Sequence, residues 1–232
     1  MKRLLLIFAL LAAAAGCLAG NASAQSQADA ASTGAAVPGV SRTIDGIAAR
    51  IEGDIITESE VRELGAFQRL VDGQAKSRDD IIRELADQWV VRQEAAATRY
   101  RQPPAAEVDR AYQELVKRFG SLAVLQDRLA TVGLSEAAVR RLLAQQLYLS
   151  GFLDYRFRPA AQVSDKEVQD YYDNKLVPAL KARGDKIPPL DDVDDQIREV
   201  LIQQAIDARS SQWLDETRAH LNIQILPPGE GS

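Results

Sequence analysis

The stretch that most constrains the fold runs from Ile44 to Leu64 and predicts a strand, a turn, a second strand and a helix start. Ile47, Ala49 and Ile51 recur at every second position, which is typical of a half-buried strand. Gly53-Asp54 supplies the turn, because glycine tolerates a positive φ there. A two-stranded ribbon is marginal in water. The ribbon therefore needs a third strand or a layer of helices to cover it.

The other candidate strand lies at the far end of the chain, from Asn222 to Leu226. Between the two regions, apolar residues recur at helical spacing. Thr57 and Ser164 each stand three residues before a glutamate, which is the spacing of a capping box at a helix start. The sequence therefore predicts a mainly α fold, in which a small antiparallel β-ribbon joins N-terminal and C-terminal strands.

Seven helices are expected from the periodicity and from the residues that begin and end helices. They span 58–71, 77 to a point before Pro103-Pro104, 105–119, 122–130, 136–157, 164–172 and 190–221. The polar, proline-ended segment from Asp173 to Pro189 is expected to be a loop.

Four aspartates crowd the start of the last helix, where negative charge complements the helix dipole. We interpret them as a solvated helix start and not as a metal site.

The N-terminal residues resemble a signal peptide. Lys2-Arg3 precedes an unbroken apolar run, Leu4 to Ala15, that is too short to span a bilayer. We favour cleavage after Ala24, which makes residues 1–24 the signal peptide and 25–43 a disordered linker. The alternative is lipoprotein processing, which would anchor the protein through Cys17. Both alternatives predict export to the periplasm, with no integral membrane segment after processing.

Composition argues against several classes of function. The chain carries a net charge of −5, and removal of residues 1–24 takes away two basic residues and no acidic ones. So acidic a chain is a poor nucleic-acid binder. It has one cysteine and one histidine, His220, and no phosphate loop, metal motif or nucleophile elbow. We therefore expect no cofactor, no metal, no catalytic residue and no enzymatic activity.

The helix predicted at 136–157 is apolar on two faces. The first face carries Val139, Leu142, Leu143, Leu149 and Leu153, and the second carries Ala144, Tyr148, Phe152 and Tyr155. A helix with two apolar faces is either buried on both or offers one to a partner. Burial of both faces is the simpler interpretation. The functional hypothesis is that Tyr148, Phe152 and Tyr155 bind a client polypeptide.

Five sequence segments, taken in order, are similar to the SurA/PrsA-type periplasmic foldases. They are IDGIAARIEGDIITESEV, IIRELADQWVVRQEAAATRY, the helical run at 107–157, VSDKEVQDYYDNK and the final segment at 189–226. The resemblance covers nearly all of residues 44–226. It implies a SurA N-terminal-like helical domain made of an N-terminal helical part (44–160), a linking segment (161–189) and a long helix with a strand (190–226), followed by a tail (227–232).

One departure from that family concerns catalysis. Only 17 residues separate Tyr172 from Leu190, where the family usually inserts a parvulin prolyl-isomerase domain. The resemblance therefore implies an ATP-independent periplasmic chaperone that binds unfolded outer-membrane proteins through an apolar groove. Two alternatives stay open: a periplasmic scaffold or lipoprotein subunit with one fixed partner, and an atypical prolyl isomerase. The sequence predicts no particular oligomeric state.

Overall fold

The computed structural model describes residues 45–228. The expected signal peptide, the linker and Cys17 lie outside these residues. The described elements are β1 (Ile47–Ile51), β2 (Asp54–Thr57), α1 (Glu58–Asp72), α2 (Arg78–Ala97), α3 (Ala105–Arg118), α4 (Leu122–Val132), α5 (Glu136–Phe157), α6 (Asp165–Tyr171), α7 (Val177–Arg183), α8 (Asp194–Arg218) and β3 (Ile223–Ile225). The predicted mainly α class is confirmed.

The three strands form one antiparallel sheet in the order β2-β1-β3. Ile51 pairs with Asp54 on one side and with Ile223 on the other, and Ala49 pairs with Ile225. The Leu226 amide donates to the Ala48 carbonyl at 2.9 Å and extends the pairing beyond β3. The predicted return of the C-terminal strand to the ribbon is thus confirmed.

Two details of the ribbon differ from the sequence prediction. Ala48 and Ala49 are both buried, because β1 is the central strand and its pairing with β2 shifts register between Ile47 and Ala49. The residue of positive φ in the turn is Glu52, at 51°, and not Gly53. Glu52 is held there by Asn222, the residue before β3, since the Glu52 amide donates to the Asn222 carbonyl at 3.2 Å and the Glu52 carboxylate accepts from the Asn222 amide at 2.9 Å.

Local capping explains why most helix starts were predictable. The Glu60 amide donates to the Thr57 hydroxyl at 3.2 Å, and the Glu60 carboxylate accepts from the Thr57 amide at 2.8 Å. Ser164 and Glu167 form the second predicted capping box. α5 has the bounds that the sequence predicts, with Ser135 as its N-cap. Each of these caps depends on residues at most three positions apart.

The segment predicted as a loop from Asp173 is largely helical. α6 continues through a π-helical turn, Tyr172–Leu176, into α7. Pro178 lies in the first turn of α7, directly after the π-helical turn, in which the Val177 amide donates to the Tyr172 carbonyl. The Tyr172 hydroxyl donates to the Pro188 carbonyl at 2.7 Å and folds the following chain back. The irregular part therefore begins at Gly184, whose φ of 74° ends α7.

α5 lies at the centre of the helical layer and contributes to two of the three hydrophobic clusters found within residues 45–228. Its N-terminal half packs with α1, α3 and α4 through Ala138, Val139 and Leu143. Its C-terminal half packs with α2 and α8 through Tyr148, Leu149, Phe152 and Leu153. The remaining cluster joins the sheet to α1 and α2. This central position explains the two apolar faces of α5.

An ion pair ties the C-terminal end of α8 to α2. Arg218 Nη1 lies 3.2 Å from Asp87 Oδ1, and both side chains are largely buried. Burial raises the pKa of Asp87 to about 6; Asp215 and Glu84 add to the rise, whereas Arg218 opposes it. A carboxyl whose pKa is raised in the folded state contributes stability below its unfolded pKa of 3.8 and loses it as the pH rises through about 6.

The variant Asp87→Asn should therefore gain stability relative to the wild type as the pH rises from about 4 to above 6. The relative gain should total up to about 3 kcal/mol, at about 1.4 kcal/mol per pKa unit. The attraction of Arg218, which keeps Asp215 as a charged partner in the variant, is already included in the pKa of Asp87, so any further cost of the substitution is an offset that does not depend on pH. Chemical denaturation of both proteins from pH 4 to pH 8 measures the difference. A difference that is constant over that range would contradict the assignment.

Candidate functional site

An open cleft of about 500 Å³ lies between the C-terminal end of α2, the connection to α3, and α5. Its lining consists of Thr98, Arg99, Tyr100, Arg101, Gln102, Pro103, Pro104, Glu107, Leu147, Tyr148, Gly151 and Tyr155. Two of the three residues in the client-binding hypothesis, Tyr148 and Tyr155, are among them. Aromatic rings and charged side chains thus meet in one concave surface, which is where polypeptide or small-molecule ligands usually bind.

Tyr100 is the residue around which the cleft is built. Its ring centroid lies 5.7 Å from that of Tyr148, 5.7 Å from that of Phe152 and 5.6 Å from that of Tyr155. These distances are in the range of favourable aromatic pairs. Tyr100 therefore links the buried rings of α5 to the exposed ring of Tyr155.

The end of α2 determines where Tyr100 lies. The Tyr100 amide donates to the Ala95 carbonyl at 2.8 Å and the Arg99 amide to the Ala96 carbonyl at 3.0 Å. This pattern is the Schellman motif, in which the residue after the C-cap is left-handed. Arg99 occupies that position with a φ of 54°, where glycine is the usual residue. The motif reverses the chain and directs the next residue, Tyr100, towards α5.

Gly151 allows Tyr100 to approach α5 closely. A Cβ atom at position 151 would lie 2.7 Å from the Tyr100 hydroxyl oxygen, closer than two such atoms can come without one of them moving. Glycine in a helix interior is less stable than alanine by about 1 kcal/mol. The glycine at this position therefore has a steric role, because it leaves room for the phenol.

Gly151→Ala should displace the Tyr100 ring and destabilise the fold by about 1 to 3 kcal/mol, the usual cost of overpacking. In a Tyr100→Phe background the same alanine meets only ordinary ring contacts. It should then be neutral or stabilising by about 1 kcal/mol through helix propensity. A double-mutant cycle of unfolding free energies measures this coupling. Equal effects of Gly151→Ala in both backgrounds would contradict the close approach.

The three residues of the client-binding hypothesis differ in their exposure to solvent. Tyr148 and Phe152 are 7% and 1% exposed and belong to the core, whereas Tyr155 is 64% exposed. The hypothesis is therefore corrected for Phe152, whose ring has no surface to offer a client, and for most of Tyr148. It stays a prediction for Tyr155. Sequence reasoning missed Tyr100, although an aromatic residue directly after a helix end and before Pro103-Pro104 is a recognisable signal.

The charged groups of the cleft are mostly cationic at its mouth. Arg99 and Arg101 are exposed. Glu107 is the one acidic residue in the lining, and its carboxylate lies 3.9 Å from Arg110. Burial, together with the nearby carboxylates of Asp154 and Glu107, raises the pKa of the Tyr100 hydroxyl. The phenol thus stays protonated at neutral pH and can donate a hydrogen bond.

The rest of the described chain offers few other chemical groups. Within residues 45–228 the structure contains no cluster of three or more histidine, cysteine, aspartate or glutamate side chains that could hold a metal ion. The same residues include no helix that combines the length and the hydropathy needed to span a bilayer. His220 is exposed just beyond the end of α8. The cleft is therefore the best candidate for a functional site.

Comparison with known proteins gives one informative similarity. The chain is 31% identical over 101 residues to a protein of Azotobacter chroococcum mcd 1 named "Putative peptidyl-prolyl cis-trans isomerase NifM". The match covers 41% of this chain and 34% of that relative, so the chain spans about a third of the relative's length. No protein-family model matches the chain.

This similarity corrects one expectation from the sequence. The expectation that the chain is not an enzyme is contradicted, because the relative is named as an isomerase. The expectation depended on the scarcity of motifs for nucleophilic and metal-dependent catalysis. Those motifs do not bear on an enzyme that catalyses rotation about a bond. A role related to protein folding fits the similarity, and it also fits the resemblance of the sequence to folding factors.

Proposed function

We propose that this protein is an exported folding factor that binds unfolded polypeptides, including outer-membrane proteins in the periplasm, in the cleft around Tyr100 and Tyr155. The observation that carries the proposal is the exposed ring of Tyr155, which lies 5.6 Å from the ring of Tyr100 in an open cleft. The name of the relative supports a role in protein folding.

Binding in this cleft would be driven by the burial of apolar surface. Each Å² of apolar area removed from water contributes about 25 cal/mol. Tyrosine suits such a surface, because its rigid ring gives a large contact area for little loss of conformational entropy. Tyr148 and Phe152 would support the exposed rings from beneath and hold them in place.

The acidic surface of the chain would keep the complex in solution. A protein whose net charge is far from zero resists association with other copies of itself. The net charge of −5 becomes more negative if residues 1–24 are removed. Reversible binding to a solvated, charged protein requires no nucleotide, which agrees with the lack of a phosphate-loop motif in the sequence.

Light scattering tests the proposal. A denatured outer-membrane β-barrel protein is diluted into buffer with and without the purified protein, and aggregation is followed. Suppression at a near-equimolar ratio is the expected result. Serum albumin at the same mass concentration serves as a control for non-specific effects. Aggregation that is unchanged even with an excess of the protein would contradict polypeptide binding.

Prolyl isomerisation is a second candidate function, favoured by the name of the relative. The cleft offers apolar rings to a proline side chain and a protonated phenol to a peptide carbonyl. Uncatalysed isomerisation takes about 10 to 100 s at 25 °C, so acceleration is easy to detect. An assay of a short X–Pro peptide with the wild type and with Tyr155→Ala tests it. Acceleration that Tyr155→Ala abolishes would assign the activity to the cleft.

A further inference from the structure

The charge at the mouth of the cleft is opposite to the charge of the protein as a whole. Arg99 and Arg101 both line the cleft and both side chains are exposed. The chain carries 33 acidic and 28 basic residues. Two cations two positions apart beside an aromatic surface therefore form a local positive site on an acidic protein.

Arg99 contributes its backbone to the fold, but within residues 45–228 neither arginine side chain is engaged in a polar contact. In the part of the chain from 45 to 228, the structure gives the Arg99 and Arg101 side chains no hydrogen bond and no ion pair. Neighbouring arginines are engaged: Arg110 faces Glu107 at 3.9 Å, and Arg156 pairs with Glu94 at 3.1 Å. Of the two carboxylates near Tyr100, Asp154 pairs with Arg158 at 2.8 Å and Glu107 lies 3.9 Å from Arg110. The guanidinium groups of Arg99 and Arg101 are therefore available to a ligand.

Local backbone geometry holds this pair next to the aromatic rings. Arg99 is the left-handed residue of the Schellman motif, and Tyr100 lies between the two arginines in the sequence. The chain then continues without regular structure through Pro103 and Pro104 to α3. Because the motif fixes Tyr100 against α5, the residues on both sides of it stay at the mouth of the cleft.

From this arrangement, and building on the proposed function, we infer that the cleft selects polypeptide segments in which acidic side chains flank aromatic or aliphatic residues. The apolar residues of the segment contact Tyr100 and Tyr155, and its carboxylates pair with Arg99 and Arg101. Guanidinium groups form charge-assisted hydrogen bonds with carboxylates. The acidic remainder of the protein surface repels such a segment elsewhere and favours its binding at this site.

Three short peptides with blocked ends test the inference. They share the same tyrosine, phenylalanine and leucine residues, and their spacer positions carry glutamate, glutamine or lysine. Acetylated and amidated ends remove terminal charges, so only side-chain carboxylates contribute. Fluorescence anisotropy of labelled peptides should give the tightest binding for the glutamate peptide, about five- to tenfold tighter than for the glutamine peptide at low salt. About 0.5 M salt should reduce that ratio, because exposed ion pairs are screened.

Variants locate the effect. In Arg99→Gln/Arg101→Gln the difference in affinity between the glutamate and glutamine peptides should disappear. Arg128→Gln is the matched control, since Arg128 is exposed on α4 and does not line the cleft. It should keep most of the difference between the two peptides.

Failure of this inference and failure of the proposed function give different results in the peptide experiment. If the wild type binds the glutamate and glutamine peptides equally, the inference is overturned and the proposed function stands. Preference for the lysine peptide overturns it as well, since the net charge of the protein would then dominate. If none of the three peptides binds, the proposed function fails and this inference fails with it.

Discussion

Phe152→Ala is expected to lower the free energy of unfolding by about 3 to 5 kcal/mol, the usual cost of removing a buried aromatic side chain. Phe152 is 1% exposed and belongs to the cluster that joins α2, α5 and α8. Its ring also contacts Tyr100, at a centroid distance of 5.7 Å. The loss should therefore loosen both the core and the cleft. Urea denaturation followed by circular dichroism measures it.

Phe152→Leu is the matched control, because a nearly volume-conserving apolar replacement usually costs less than about 1.5 kcal/mol. If Phe152→Ala left the unfolding free energy within about 0.5 kcal/mol of the wild type, the ring would lie at the surface. That outcome would return Phe152 to the list of residues that contact a client.

Tyr155→Ala is expected to do the opposite: to weaken polypeptide binding about tenfold, or about 1.4 kcal/mol, with little loss of stability. Tyr155 is 64% exposed, so its removal leaves no cavity. Substitutions at exposed positions usually change stability by no more than about 0.5 kcal/mol. Binding depends more on such a residue, because exposed tyrosines are frequent hot spots of interfaces. Anisotropy with an unfolded polypeptide and urea denaturation give the two numbers.

Leu122→Ala provides the comparison for Tyr155→Ala. Leu122 is 46% exposed on α4 and lies outside the cleft lining. It should change neither binding nor stability appreciably. If Leu122→Ala and Tyr155→Ala weakened binding equally, the polypeptide would bind to exposed apolar side chains in general and not in the cleft.

Much of the fold could be predicted because its determinants are local. The capping boxes at Thr57 and Ser164 and the proline pair at 103–104 are read from a few adjacent residues. The pairing of β1 with β3 spans the whole domain, yet it was predictable by elimination. A two-stranded ribbon needed a third strand, and the sequence had one candidate at 222–226.

The rest depended on tertiary contacts. The π-helical turn at Tyr172–Leu176 carries the helix through residues that the sequence predicts as a loop, and the Tyr172 hydroxyl donates to the Pro188 carbonyl 16 residues further on. Helical periodicity assigned Phe152 and Tyr155 to the same face of α5. Periodicity alone does not predict that α2 and α8 cover Phe152 and leave Tyr155 exposed. Tyr100 lies at the site because Arg99, the left-handed residue before it, reverses the chain.

The catalytic question was the least predictable from sequence. Motifs for nucleophiles, metals and phosphates are defined by residue type and spacing. Rotation about a prolyl bond needs neither a covalent intermediate nor a metal, so a search for those motifs cannot detect it. The observation that points to prolyl isomerisation is the similarity to a protein named as an isomerase. The peptide assay of wild type and Tyr155→Ala therefore belongs beside the binding experiments.

Site-specific photo-crosslinking tests the central claim most directly, namely that the cleft around Tyr100 and Tyr155 is where unfolded polypeptide binds. Benzoylphenylalanine is placed at position 155 or, as the control, at position 122 on α4, and each protein is irradiated with a denatured outer-membrane protein. We expect strong crosslinks from position 155 and few from position 122. Equal crosslinking from the two positions, or none from position 155, would contradict the account.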